Sequence, residues 1–600
     1  MRGGMHHHHG TDIPDDFKFD FTVAARIFSF LKPYKYQVFL AIFCLLTFSA
    51  LQLAGPYLIK SAIDGPIADG DIPGLIRLTI LFLLTIIGSF IAQFTQIYMM
   101  ALTGQSIMND LRKQLFRHIQ TLDIKFFDRY PVGWVITRLT TDIETMNELF
   151  TSGVVQFIGD VFTLAGIVII MFMMNKILTL LVLSSMILFG LNVILFRKPF
   201  RESFRAVREK IAIILSFLSE HIQGLHVIQL FNNFTRVQKQ FDDANLATLK
   251  AQLRSIFYFA LFVPTVDLTS AFTIVLLLKF GGVMTQNQTI TIGVLVAFFQ
   301  YARRFFRPIQ EMSQNFNVFQ SALVSSERIF QVLDLRSAIV EPVESEAVVP
   351  TDIKGEITFE NVWFAYTNED WVLKDVSFRI APGESVAVVG ATGAGKTTIT
   401  SLLCRFYEPN KGVIRLDGID IRQIPLRTLR SFMGLIHQDA VIFTGTVADN
   451  IRVGRSDFPD QELRAIATKS GMDDFIARMP NGFDTDVGEA GGRLSAGEKQ
   501  LVSFMRAISF EPRIIILDEA TSNVDSLTEA ILQQATATLL EGKTALVVAH
   551  RLSTIRHVDR IFVFHKGCLT EQGTHEELMK NENGIYPRLY RLYYAGQLNE

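Results

Sequence analysis

Lys396, Thr397 and the glycines before them are the residues whose types and spacing point most directly to chemistry. Val386-Ala-Val-Val-Gly-Ala-Thr-Gly-Ala-Gly-Lys-Thr-Thr398 reads as a four-residue buried strand, a loop framed by Gly390, Gly393 and Gly395, and the start of an apolar helix. The spacing is G-x-x-x-x-G-K-T in a strand–loop–helix setting. Without Cβ atoms, the glycines let backbone N–H groups turn inward around a phosphate chain, and the helix N-terminus adds positive potential. The binding stretch therefore comprises Gly390, Ala391, Thr392, Gly393, Ala394, Gly395, Lys396, Thr397 and Thr398. Lys396 would reach the outer phosphates, and the Thr397 hydroxyl would hold Mg²⁺.

A second set of residues should meet this loop. Arg513-Ile-Ile-Ile-Leu-Asp518-Glu519 contains a continuous apolar run, the pattern of a strand buried on both faces. It delivers Asp518 at its carboxyl end, where ligands of open α/β sheets sit. Asp518 suits Mg²⁺, and Glu519 is placed to polarise an attacking water. Thr544-Ala-Leu-Val-Val-Ala549 is a further strand and ends at His550, which would touch the transferred phosphate. Gln438, after the strand-like Met433–Ile436, is a neutral oxygen ligand for Mg²⁺ or a water contact. Tyr366 closes the strand-like Gly355–Tyr366 and is suited to stack on a nucleotide base.

The elements that position these residues lie in the second half of a chain too long for one core. It has 600 residues, 49% of them hydrophobic, with 51 Phe and a formal net charge of −2. That length calls for two or more domains, and that charge gives no electrostatic case for nucleic acid. The apolar residues concentrate before about residue 310, so a membrane half precedes a soluble half. Cys44, Cys404 and Cys568 have no metal spacing and suit a reduced compartment. Residues 1–11, with His6 to His9, look like an expression tag. We expect an interfacial elbow helix over 12–35, a six-helix transmembrane domain over 36–335 and a linker over 336–354. A nucleotide-binding α/β domain over 355–590 and a tail over 591–600 complete the chain.

Six apolar runs near the length that crosses a bilayer fall at about 36–63, 73–103, 143–174, 177–197, 255–281 and 290–312. The connections near 64–72 and 282–289 contain no Lys or Arg, whereas 104–142 and 197–254 carry many. Positively charged loops stay in the cytoplasm. Both long connections, the N-terminus and the phosphate-binding half are therefore expected on the cytoplasmic side. Helical periodicity continues through 104–125 and 200–250, so the membrane helices should extend well beyond the bilayer. Breaks at Asp123–Gly133 and Gln223–Asn233 predict short helices or turns; as helices they could dock on the nucleotide-binding half.

Candidate cargo contacts lie in the fifth and sixth spans. Gln300, Arg303, Arg304, Arg307, Gln310, Gln314 and Asn317 recur at three- and four-residue steps, a polar stripe facing water or a cytoplasmic extension. Asp267 is an intramembrane carboxylate near an expected break at Pro264; it is either a site or a structural hydrogen-bonding group. Phe298, Phe299, Phe305 and Phe306 would line an apolar cavity or face lipid.

Taken in order, these motifs resemble the nucleotide-binding domain of ATP-binding-cassette transporters: Tyr366, the Walker A loop Gly390–Thr398, Gln438, the signature segment Leu494-Ser-Ala-Gly-Glu-Lys-Gln500, Asp518 and Glu519, the Ser522-Asn-Val-Asp525 loop and His550. The first half is similar to the family's six-helix exporter module, with Phe126–Gly133, Thr137-Arg138 and Arg307-Pro308 as matching segments. The resemblance implies ATP and Mg²⁺ as ligands, with Lys396, Gln438, Glu519 and His550 as catalytic residues. Thr397, Gln438 and Asp518 would hold the metal. It further implies a dimer of half-transporters, in which Ser495, Ala496, Gly497 and Glu498 of one chain close over ATP held by the other. The usual signature is Leu-Ser-Gly-Gly-Gln; here Ala496 and Glu498 depart from it, which would weaken the partner's ATP site and fit a heterodimer. The chain nonetheless carries every other element, and we expect a homodimer. The expected function is ATP-driven efflux of amphipathic drugs or lipids by a multi-pass protein of a bacterial inner or plasma membrane. An importer of the same class, or an ATP-gated channel or regulator, is the alternative.

Overall fold

A computed structural model describes residues 21–343, 345–453, 455, 458–518, 526–549, 555 and 558–594. The chain forms two units. One contains the described residues up to Thr121 together with Pro131–Leu335; the other contains Leu122–Tyr130 and the chain from Arg336 onward.

The first unit is helical throughout. Among the described residues, five helical stretches are long and apolar enough to cross a membrane: Lys32–Ile67, Ile72–Thr121, Val132–Met174, Lys176–Gln223 and Phe234–Gln286. The sixth long helix, Ile292–Asp334, begins apolar but soon carries Arg303, Arg304 and Arg307, which lowers its mean hydropathy. Lengths of 50, 48 and 53 residues for Ile72–Thr121, Lys176–Gln223 and Phe234–Gln286 far exceed the span of a bilayer. Each therefore projects well past the hydrocarbon. Phe234–Gln286 runs through Pro264 without interruption, so the break expected there does not occur. A proline removes one N–H but is tolerated in a membrane helix whose neighbours satisfy the freed carbonyl.

Phe298, Phe305 and Phe306 are almost fully buried, packed with Tyr301, Leu53, Ile167 and Val182, and Phe299 packs partly buried against the same cluster. They form the core of the helical unit rather than lining a cavity or facing lipid. The sequence pattern left this open because aromatic residues on a membrane helix have the same composition on either face.

The second unit holds two sheets. The antiparallel sheet has order β2-β1-β4-β5, from β1 (Ile357–Phe364), β2 (Leu373–Ile380), β4 (Lys411–Leu416) and β5 (Ile419–Asp420). The larger sheet has order β10-β9-β3-β8-β7-β6. Its strands are β3 (Ser385–Gly390), β6 (Met433–Ile436), β7 (Ile514–Asp518), β8 (Thr544–Val548), β9 (Arg560–His565) and β10 (Cys568–Gly573). All neighbours are parallel except β9 and β10. Ile514–Leu517 and Val386–Val389 are buried, as continuous apolar strands covered on both faces must be.

Residues before Gly355 are fastened to this unit. The Asp417 carboxylate accepts the N–H groups of Lys354 at 2.6 Å and Glu356 at 2.7 Å. Val348 N–H donates to Gln423 O, and the buried Arg405 guanidinium donates to Val340 O at 2.8 Å. A short helix, Ile124–Arg129, belongs to the same unit. Asp123 caps it through Phe126 N–H, and its other oxygen accepts Ala338 N–H at 2.6 Å. The corresponding short helix at the second break, Leu225–Leu230, stays with the helical unit.

Candidate active site

β3 lies between β8 and β9 and delivers its last residue, Gly390, at the carboxyl edge of the parallel sheet. A Cβ there would come within 2.4 Å of Phe564 O on β9, so a side chain would collide with backbone. Gly395 begins the helix Lys396–Leu403 with φ +97°, a conformation that favours glycine. Gly393 also has positive φ, yet nothing lies within 4 Å of where its Cβ would stand, so the loop is open on that side. Ala391, Thr392, Gly393 and Thr397 are exposed, while Ala394, Gly395, Lys396 and Thr398 are buried. The Lys396 ammonium donates to Gly390 O at 2.9 Å and Ala391 O at 3.3 Å, so it lies across its own loop.

Asp518 ends β7 and is half-buried. In register it pairs with Val548 of β8, and Leu517 pairs with Ile436 of β6. Gln438 follows two residues beyond Ile436 and is exposed. The ends of β3, β6, β7 and β8 thus share one edge, which brings Gly390, Gln438 and Asp518 to the same side of the sheet. Glu519, Asp525 and His550 lie outside the described residues. The oxygens of Thr397 and Asp518 are hard donors of the kind Mg²⁺ takes, and the open cradle at Gly393 suits a phosphate chain.

Tyr366 is 38% exposed, and its hydroxyl lies 3.1 Å from Thr398 Oγ1. Its ring meets Tyr407 edge-on at 5.1 Å. The Tyr407 hydroxyl donates to Asp128 of the short helix Ile124–Arg129. Burial, and then that bond to Asp128, push the Tyr407 phenol above its ordinary range. Tyr407 was not singled out from the sequence; it sits beyond the loop helix with no motif spacing to mark it.

The signature turn opens the helix Ala496–Ser509. Ser495 caps it in a reciprocal box: Glu498 N–H donates to Ser495 Oγ at 3.2 Å, and Ser495 N–H donates to Glu498 Oε2 at 2.7 Å. Glu498 therefore turns its carboxylate back on its own helix start, while Gly497 is buried and Ala496 exposed. Gln500, buried on the same helix, donates from Nε2 to Gln438 O at 3.3 Å, and its Oε1 has no partner. It ties the signature helix to the segment carrying Gln438, a link between residues 62 apart that no local pattern announces.

In the helical unit, Arg303, Arg304 and Arg307 form one exposed face of Ile292–Asp334, with Gln300 partly buried. Arg304 Nη1 donates to Gln52 O at 2.6 Å. Pro56, four residues later in its helix, has no N–H to offer that carbonyl, so Arg304 satisfies a group the proline leaves open. Arg307 Nε pairs with Glu311 at 2.7 Å. Asp267 is exposed, and among the described residues no hydrogen bond or ion pair engages it. The side chains of Gln310, Gln314 and Asn317 lie outside the described set.

Comparisons with known proteins agree on what such a chain is. Residues 38–309 match the ABC transporter transmembrane region, and residues 373–522 match the ABC transporter family. The ABC transporter ATP-binding protein YknV of Bacillus subtilis is 39% identical over 95% of this chain and 94% of its own length. A putative multidrug export ATP-binding/permease protein of Staphylococcus aureus is 35% identical over 94% of this chain and 99% of its own. The ATP-dependent lipid A-core flippase of Desulfotalea psychrophila is 31% identical over 95% and 99%. Among solved structures, a bacterial Atm1-family ABC exporter with ATP bound superposes with a TM-score of 0.75 at 26% identity, covering 93% of this chain and 98% of that one. With a membrane region and a nucleotide-binding domain matched in order along one polypeptide, the chain belongs to the ABC transporter family.

Proposed function

We propose that this chain is one half of an ATP-driven exporter that moves amphipathic drugs or lipids across a bacterial inner or plasma membrane. The observation that carries the reading is a phosphate cradle and a strand-end carboxylate on one sheet edge, in a chain whose described residues include five apolar helical stretches of spanning length. Its membrane location as a multi-pass protein and its pairing with a second half-transporter follow from family membership. Relatives named as a multidrug exporter and a lipid A-core flippase support the cargo class and outward direction.

In this reading the N–H groups of Gly390–Thr398 bind the phosphate chain, and Lys396 leaves its carbonyl partners for the outer phosphates. Thr397, Asp518 and Gln438 would hold Mg²⁺, which supplies charge neutralisation on the transferred phosphoryl group. Glu519 accepts the proton of the attacking water, and His550 contacts the phosphoryl group that leaves. Tyr366 stacks on the base. Ser495, Ala496, Gly497 and Glu498 cover ATP held by the other half, with Asp525 at the same boundary. Binding closes two nucleotide-binding domains because ATP favours the closed state, and hydrolysis with release resets them.

We favour a homodimer, since apart from the departures at Ala496 and Glu498 one sequence carries every element of the site. The density of Lys and Arg in 104–142 and 197–254 supports a cytoplasmic nucleotide-binding domain. The test is ATPase activity of the purified chain alone in lipid, with a panel of drugs, lipids and peptides. Stimulation by amphipathic compounds is expected; activity that appears only with a different second subunit would overturn the homodimer.

A further inference from the structure

Tyr366 is wired to a segment far along the chain from the phosphate loop. Its hydroxyl is fixed 3.1 Å from Thr398 Oγ1, in the first turn of Lys396–Leu403. Its ring is one of three that meet edge to face. Phe364 lies 4.8 Å from it, Tyr407 5.1 Å from it, and Phe364 and Tyr407 are 5.7 Å apart. Close-packed rings in such a corner constrain one another, so an event at one is felt at the next. The Tyr407 hydroxyl then leaves the corner and donates to Asp128, 279 positions earlier in the chain.

Asp128 belongs to the short helix Ile124–Arg129, and that helix has a second tie. Asp123 caps it with one oxygen and accepts Ala338 N–H at 2.6 Å with the other. The chain leaves this unit for the helical one on both sides of the short helix and again before Arg336. The bond from Asp123 to Ala338 therefore gathers all three crossings. A fixed anchor would hold Ile124–Arg129 equally well whatever Tyr366 carries. This one hangs on a ring that touches Tyr366, and Asp128 is exposed. A single hydrogen bond at an exposed carboxylate is weak by itself, so its persistence depends on how firmly the Tyr407 ring is held. A base laid on the 38%-exposed Tyr366 would stiffen the corner and lower the entropic cost of keeping that bond.

We propose that Tyr407 is a positioning residue that passes occupancy of the base platform at Tyr366 to Ile124–Arg129 through Asp128. The short helix then responds to the adenine ring and not to the phosphate chain alone. The inference rests on the reading of the Gly390–Asp518 edge as an ATP site with Tyr366 under the base. It adds that the base, beyond its part in affinity, is a signal.

The experiment measures hydrogen exchange on the full chain in lipid nanodiscs, with MgADP and with magnesium pyrophosphate. Each is used at a concentration that saturates protection of Gly390–Thr398. Neither carries the phosphoryl group that the ATPase transfers, so turnover does not enter. In wild type, MgADP should slow exchange in Ile124–Arg129 by roughly fivefold or more, the low end of ordinary coupling between sites, and pyrophosphate should leave it unchanged. Tyr407→Phe should bring the two ligands level at that helix while both still protect the loop. Asp128→Ala, at an exposed position, should do the same and decides alone if Tyr407→Phe does not fold. Equal effects of the two ligands on the helix in wild type, or a difference that survives in a folded variant, overturns the relay. Loop protection by MgADP upholds the nucleotide site whatever happens at the helix; its absence removes that site and the relay with it.

Discussion

Lys396 in the nucleotide-binding unit and Asp160 in the helical unit are equally buried, each 7% exposed, yet their surroundings differ. Lys396 rests on two backbone carbonyls of its own loop, whereas Asp160 keeps an oxygen without a partner between two helices. The contrast separates two ways of placing polar groups in a buried setting. Phosphate chemistry needs N–H groups, an ammonium and a hydroxyl within one turn of chain, so its residues fall at fixed spacing. A polar contact on a helix wall takes side chains from distant segments, as Gln156 and Glu311 do 155 positions apart, and leaves no spacing to read.

The largest expected effect breaks the comparison at Lys396. Lys396→Ala should lower ATP turnover roughly 10²–10³-fold, the scale set by losing one positioned charge at a reacting centre. The thermal midpoint of the purified protein should shift little, because the ammonium donates to the carbonyls of Gly390 and Ala391 within its own loop. Retained turnover in that variant would remove the phosphate loop from the account.

Next comes Arg405, a buried charge with a full set of partners. It is 1% exposed, pairs with Glu408 at 2.8 Å and donates to the carbonyls of Val340, Ile421 and Ile424. Arg405→Leu would strand those acceptors and should cost about 3–5 kcal/mol, seen as a lower midpoint for the nucleotide-binding unit. Asp160→Asn, in contrast, keeps the shape of a buried carboxyl whose Oδ2 has no partner and should leave the midpoint unchanged or raise it. A large loss of stability there would mean Asp160 is satisfied after all.

A smaller effect is expected at Tyr407→Phe, which deletes the bond to Asp128 while keeping the ring against Tyr366. The loss should be about 1 kcal/mol, and transport per ATP hydrolysed should fall several-fold with hydrolysis largely intact. An unchanged ratio would show that the short helix Ile124–Arg129 does not transmit through this residue.

The smallest effect concerns Cys404, whose thiol burial pushes up from its ordinary 9.0 to about 12. Because the folded value is the higher one, its contribution to stability is complete below pH 9 and is lost progressively as pH rises toward 12. Cys404 should accordingly resist maleimide at pH 8 in the folded protein while the partly exposed Cys568 reacts. Equal labelling rates would contradict its burial.

Legibility followed the same division. Ile514–Leu517 announced a buried strand and Asp518 its end because a parallel strand covered on both faces admits only apolar residues. Gly390 and Gly395 were readable because a Cβ at either would strike backbone or Leu373. By comparison, Arg304 looked like a cargo contact, since nothing in its own segment reveals that Pro56 leaves Gln52 O open. Gln156 and Glu311, and Gln500 and Gln438, were invisible for the same reason: each pair is created by packing between remote elements.

The account's central claim is that ATP held at the Gly390–Asp518 edge drives amphipathic cargo through the helical unit. The direct measurement is uptake of a fluorescent amphipathic dye into sealed vesicles containing this chain alone, inserted with the nucleotide-binding domain outside. MgATP should drive accumulation above the dye's equilibrium level, and Lys396→Ala should abolish it. Accumulation that is the same with and without ATP, or that survives Lys396→Ala, would contradict the account.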